Sequence, residues 1–170
     1  MRFGRCIVAA LLLVSAAACA GPGRAGSERV TYRASDFRSG EAVSLAELRG
    51  RPVLMTSWAT WCTECRTELP ALQRFWKEHR GTDLAVVAVN VDGGGGGRLA
   101  RAMVEEFGLT MDLWVDSDGT FSSTFLALGV PATALVSADG ALVRTWQGGV
   151  DFADPELVGA VGRALGGDAS

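Results

Sequence analysis

An apolar strand pattern, an amphipathic helix and a second apolar strand pattern follow one another between residues 53 and 89, and this succession constrains the fold most. Val53-Leu54-Met55-Thr56-Ser57-Trp58 and Leu84-Ala85-Val86-Val87-Ala88-Val89 carry almost no polar side chains, so both read as strands buried on two faces. Between them Leu69, Leu72, Phe75 and Trp76 recur at three- and four-residue steps. This spacing predicts an amphipathic helix over Thr63 to His79, interrupted by Pro70. Strand, helix and strand in that order make a parallel crossover unit, with both strands central in a sheet.

The flanking segments extend an α/β fold. Past the run Gly93 to Gly97, which reads as a mobile loop or else a partner-facing hinge, Leu99, Met103, Val104 and Phe107 predict a second helix with one apolar face. Leu113-Trp114-Val115 reads as a strand. Thr133 to Ser137 and Leu142 to Trp146 flank Ala138-Asp139-Gly140-Ala141, and Asp-Gly between apolar runs predicts an antiparallel hairpin. Asp154, Pro155 and Glu156 supply a cap, a first-turn proline and an acid suited to the helix dipole, so a last helix runs to Gly166. At 170 residues, 48% of them hydrophobic and five of them tryptophan, the chain has material for one packed domain. A net charge of −3 without a block of basic residues excludes a nucleic-acid partner, because affinity for nucleic acid rests on neutralising phosphates.

Residues 1–18 read as a secretory signal: Arg2 and Arg5 precede an uncharged apolar stretch from Cys6 to Ala18 that is too short to span a membrane. Two cleavage patterns overlap there. Ala18-Cys19-Ala20 suits ordinary signal peptidase, whereas Ala16-Ala17-Ala18-Cys19 resembles a lipobox, which would leave Cys19 lipidated and the protein on a membrane surface. Residues 19–29 are rich in small side chains and read as a flexible tether, and residues 30–170 as the folded domain. The expected location is the bacterial periplasm or the extracytoplasmic face of the membrane.

With Cys6 and Cys19 assigned to targeting, two cysteines remain, Cys62 and Cys65, in a Cys-Thr-Glu-Cys motif at the strand-to-helix junction. Free N–H groups and the positive dipole end at a helix start favour a thiolate, which suits Cys62 as the attacking sulfur and Cys65, one turn on, as the resolving one. A structural disulfide or a pair of inert core thiols would use the same residues. A zinc site wants about four ligands, and the single histidine, His79, lies at the far end of the same helix. No metal or other cofactor is expected, although a two-thiolate copper-binding module stays open as the alternative to an enzyme. A thiol peroxidase is a further alternative, but Ala59 stands three residues before Cys62 where that chemistry uses a threonine hydroxyl.

Five stretches together resemble the TlpA/ResA-like exported thioredoxins. They are Gly50-Arg51-Pro52-Val53-Leu54, Trp58-Ala59-Thr60-Trp61-Cys62-Thr63-Glu64-Cys65 with Arg66 to Pro70, Val87-Ala88-Val89-Asn90, Gly129-Val130-Pro131-Ala132-Thr133, and Asp139-Gly140. The resemblance implies a thioredoxin fold, a central mixed sheet flanked by helices, and thiol–disulfide exchange with client proteins such as those of cytochrome c maturation. It implies that Cys62 forms a mixed disulfide and Cys65 resolves it. By the same resemblance Pro131 is a cis-proline facing the pair, Val130 offers backbone to an extended client, Trp61 contacts the client, and Trp58 and Trp61 pack beside the disulfide. A membrane-bound electron donor and a monomeric protein complete the expectation.

Departures from the family pattern fall around the same pair. Glu64 stands where proline is common, and its charge disfavours the Cys62 thiolate and opposes the helix dipole. Asp92 occupies the place of an acid thought to move protons for the resolving thiol. Ser57 replaces an aromatic before Trp58, which predicts looser packing beneath the site.

Overall fold

Seven strands form one mixed sheet in the computed structural model, which describes residues 29–166. In chain order the strands are Arg33–Asp36 (β1), Ala42–Ser44 (β2), Val53–Trp58 (β3), Ala85–Asn90 (β4), Asp112–Val115 (β5), Ala132–Val136 (β6) and Leu142–Gln147 (β7). The helices are Thr63–His79 (α1), Gly97–Glu106 (α2), Phe121–Phe125 (α3) and Pro155–Ala164 (α4). The sheet order is β2-β1-β5-β4-β3-β6-β7. β3 pairs with β4, and β4 with β5, in parallel, while β6 runs antiparallel to β3 and to β7. The signal segment, Cys19 and all of the tether but Arg29 lie outside the described residues.

Every residue of β3 and β4 is buried, as two-faced strands require. Leu54, Trp58, Val86 and Ala88 face α1, α2 and α4, where they meet Leu69, Leu72, Phe75, Met103 and Leu157. Val53, Met55, Val87 and Val89 point the other way, toward Tyr32, Leu45, Trp114, Phe121 and Phe125. Helices thus cover both faces of a mixed sheet, which is the thioredoxin arrangement.

Two expectations need correction. Pro70 does not interrupt α1, which runs unbroken through it. The proline forgoes one backbone hydrogen bond, and the burial of Leu69, Leu72 and Phe75 on either side keeps the helix in register. On α2, Leu99 is not on the buried face; it is 65% exposed, and Ala100 takes the inward position with Met103. Ala100, Met103, Val104 and Phe107 form the true three- and four-residue series. Along the glycine run, Gly93–Gly96 makes a 3-10 turn leading into α2, with Gly97 at φ +52°. The sequence reading also lacked β1, β2, α3 and the 3-10 turn Leu45–Leu48.

Candidate active site

The candidate site grows from the C-terminal end of β3. Trp58 closes that strand opposite Asn90 of β4, and after a short loop Cys62 is the N-cap of α1. Cys62 and Cys65 are joined by a disulfide, with Cα atoms 5.4 Å apart. The Cys65 N–H donates to Cys62 Sγ at 3.1 Å, so a sulfur occupies the place of an oxygen cap and receives one of the helix's free donors. The two sulfurs differ in access: Cys62 is 6% exposed and Cys65 is fully buried.

Opposite this pair runs the entry to β6. The Val130–Pro131 peptide bond is cis, and the Val130 carbonyl oxygen lies 3.8 Å from Cys62 Sγ. Ser57 anchors this strand, its hydroxyl accepting the Ala132 N–H at 2.9 Å and donating to the Ala132 carbonyl at 3.2 Å. The expectation of looser packing at Ser57 is therefore replaced by a polar lock between β3 and β6. Beside it, the Thr56 and Thr133 hydroxyls pair at 3.0 Å.

The other predicted residues separate by role. Trp58 is buried in the cluster that holds both cysteines. Trp61 does not pack there; it is 69% exposed beside Cys62. Asp92 is buried, and its carboxylate accepts the Thr60 N–H at 3.0 Å, the Thr60 hydroxyl at 3.1 Å and the Asn90 side-chain amide at 2.8 Å. It thereby pins the loop between β3 and α1. Glu64 turns to the loop after β7, where it accepts the Gly149 N–H at 3.1 Å.

One acid escaped the sequence reading. Glu68 lies one turn beyond Cys65 on the inner side of α1, 5% exposed, with Oε1 accepting the Val150 N–H at 3.3 Å and Oε2 left without a partner. Burial pushes its pKa up to about 7; the Val150 N–H opposes that shift and the Glu64 charge adds to it. A signal was present in the sequence, since Glu68 interrupts the apolar series of Cys65, Leu69 and Leu72 at a three-residue step.

The fold and this geometry define a thioredoxin-fold protein with a reactive-type cysteine pair capping a helix opposite a cis-proline. Residues 30–145 match the model of the AhpC/TSA family, and the chain belongs to that family, with ResA-like thioredoxins as its relatives. It is 34% identical over 105 residues to the thioredoxin-like protein YneN of Bacillus subtilis, covering 61% of this chain and 61% of YneN. The chain thus spans about three fifths of that relative's length. It is 26% identical over 127 residues to the thiol-disulfide oxidoreductase ResA of Halalkalibacterium halodurans, covering 75% of this chain and 70% of ResA. Among solved structures, a thiol:disulfide interchange protein of the thioredoxin family from Chlorobium tepidum superposes with a TM-score of 0.66 at 19% identity, over 81% of this chain and 94% of that one. That last likeness is one of fold.

Proposed function

We propose that this protein is an extracytoplasmic thiol–disulfide oxidoreductase that reduces disulfides of client proteins, those of cytochrome c maturation among them. The observation that carries the reading is the asymmetry of the pair. Cys62 caps α1 and faces the Val130 carbonyl and cis-Pro131, while Cys65 is sealed behind it. In the reduced protein the Cys65 N–H and the helix start favour a Cys62 thiolate. That thiolate attacks a client disulfide, forming a Cys62–client bond and releasing the other client sulfur as a thiol. Cys65 then attacks Cys62 Sγ, the second client thiol leaves, and the protein holds the Cys62–Cys65 disulfide. Two electrons pass to the client, and a membrane-bound donor returns them.

The acids support this direction. A strong oxidant of this fold owes its potential to a stabilised reduced form. Here Glu64 and Glu68 on the first two turns of α1 oppose thiolate charge and so favour the disulfide. Titration in a glutathione or dithiothreitol series, read by tryptophan fluorescence with Cys62→Ser as control, tests this. A potential near or below about −270 mV supports a reductase, and one near about −120 mV reverses the direction. No reversible couple, together with stoichiometric Cu(I) binding, transfers the site to the copper-binding alternative. Export and the lipid anchor are part of the same proposal and rest on residues 1–19. Labelling with a palmitate analogue, lost in Cys19→Ser, supports the anchor.

A further inference from the structure

Resting on the thiol-exchange reading, we propose that Glu64 is a positioning residue: through Gly149 it ties the loop between β7 and α4 onto the first turns of α1, and this tie keeps Cys65 closed to every disulfide but the one on Cys62. The third residue of the Cys-Thr-Glu-Cys motif thus acts by what it holds as well as by its charge.

Two consecutive backbone N–H groups of that loop turn toward α1. Gly149 donates to Glu64 Oε1 at 3.1 Å and Val150 to Glu68 Oε1 at 3.3 Å. Among the described residues no backbone carbonyl accepts either of them, so the two carboxylates are what satisfies this stretch of chain. Glu64 and Glu68 stand four residues apart on neighbouring turns of α1, and Cys65 lies between them, one turn before Glu68. The loop therefore runs along the side of the helix that carries the buried sulfur, and Val150 packs against the cluster that holds Cys62 and Cys65.

The fit of Glu64 to Gly149 goes beyond one hydrogen bond. A Cβ on Gly149 would meet Glu64 Oε1 at 2.7 Å, Cδ at 3.1 Å and Cγ at 3.2 Å, so the glutamate side chain lies across bare backbone. Gly149 is outside the left-handed region, so glycine is required here for that close approach and not for its φ. Beside the loop lies a cavity of about 430 Å³ lined by Trp146, Gly149, Val150 and Asp151, space into which an untied loop can move. The use of the tie follows from the order of thiol exchange. Once a client is bound at Cys62, the productive attack is by Cys65 on Cys62 Sγ. An open Cys65 would also attack outside disulfides, and its adduct would block that resolution.

The test measures access to Cys65 in the reduced full-length Cys62→Ser protein, where serine keeps an oxygen cap on α1. Iodoacetamide labelling is timed at Cys65 on its own peptide by mass spectrometry, together with hydrogen exchange of the Gly149 and Val150 amides. Glu64→Ala and Gly149→Ala, whose added methyl displaces the glutamate, should each speed labelling about tenfold and raise exchange at those two amides, with β3 and β4 unchanged. Glu64→Gln keeps an acceptor and loses the charge, so its labelling should stay within about threefold of the parent rate. Labelling that Glu64→Ala leaves unchanged, exchange that rises equally across β3 and β4, or a Glu64→Gln protein labelled as fast as Glu64→Ala overturns the tie. A wild-type pair without a reversible couple in dithiothreitol overturns the thiol-exchange reading itself, whereas an intact couple with unchanged labelling removes the tie alone.

Discussion

A carboxylic acid inside a protein core holds its proton to higher pH than one in water, and Glu68 does so on the inner side of α1. Its pKa of about 7 in the fold, against an ordinary 4.5, means that the native state binds the proton more tightly than the unfolded chain. The stability this contributes is complete below pH 4.5 and is lost as pH rises through 7. Across that window the oxidised wild type should lose about 3 kcal/mol relative to Glu68→Gln. Urea midpoints of both proteins at pH 4.5 and 8 measure it, and parallel curves would refute the burial argument. The same group is placed to take the proton of buried Cys65, one helical turn away. Resolution of a Cys62–client disulfide should therefore lose its pH dependence near neutrality in Glu68→Gln. A merely structural Glu68 would change stability and leave that profile intact.

At the scale of elements, two locks join the strand ends that carry the site, Asp92 to the β3–α1 loop and Ser57 to the start of β6. Ser57→Ala removes both bonds to Ala132 and strands a buried N–H, so it should cost about 1–3 kcal/mol in a urea titration. A gain in stability on Ser57→Ala would restore the packing-defect reading. Neither lock was legible in the sequence, because each depends on strands far apart in the chain meeting in register. β3, α1, β4, the β6–β7 hairpin and α4 were legible, since each is long enough to show a period or carries its own turn or cap residues. β1, β2 and α3 span four, three and five residues, too short for any period to emerge. Leu99 misled because the apolar series on α2 is carried inward by Ala100, a residue too small to register as core. Cys62 and Cys65 stood out by their spacing, their place at the strand-to-helix junction and the tryptophans before them, whereas Glu68 needed the helix face to be read for a polar intruder.

For the whole molecule, redox direction and stability are the same quantity seen from two sides. Folding and disulfide formation close a thermodynamic cycle, so whichever redox form the native structure favours must also be the form that unfolds less readily. In a strong oxidant of this fold the reduced form is stabilised. The present structure places a buried acid and a second carboxylate on the turns that carry the pair, where the Cys62 thiolate forms in the reduced protein. These features penalise the charged reduced state and spare the disulfide. The oxidised protein should therefore unfold at higher urea than the reduced one, and its equilibrium constant with glutathione should exceed that of the urea-unfolded chain, each factor of ten adding about 1.4 kcal/mol to the stability difference. Paired urea titrations of the two redox forms at pH 7 provide the measurement. A reduced form more stable than the oxidised one would show that the helix start outweighs the acids, and would make the protein an oxidant of its clients.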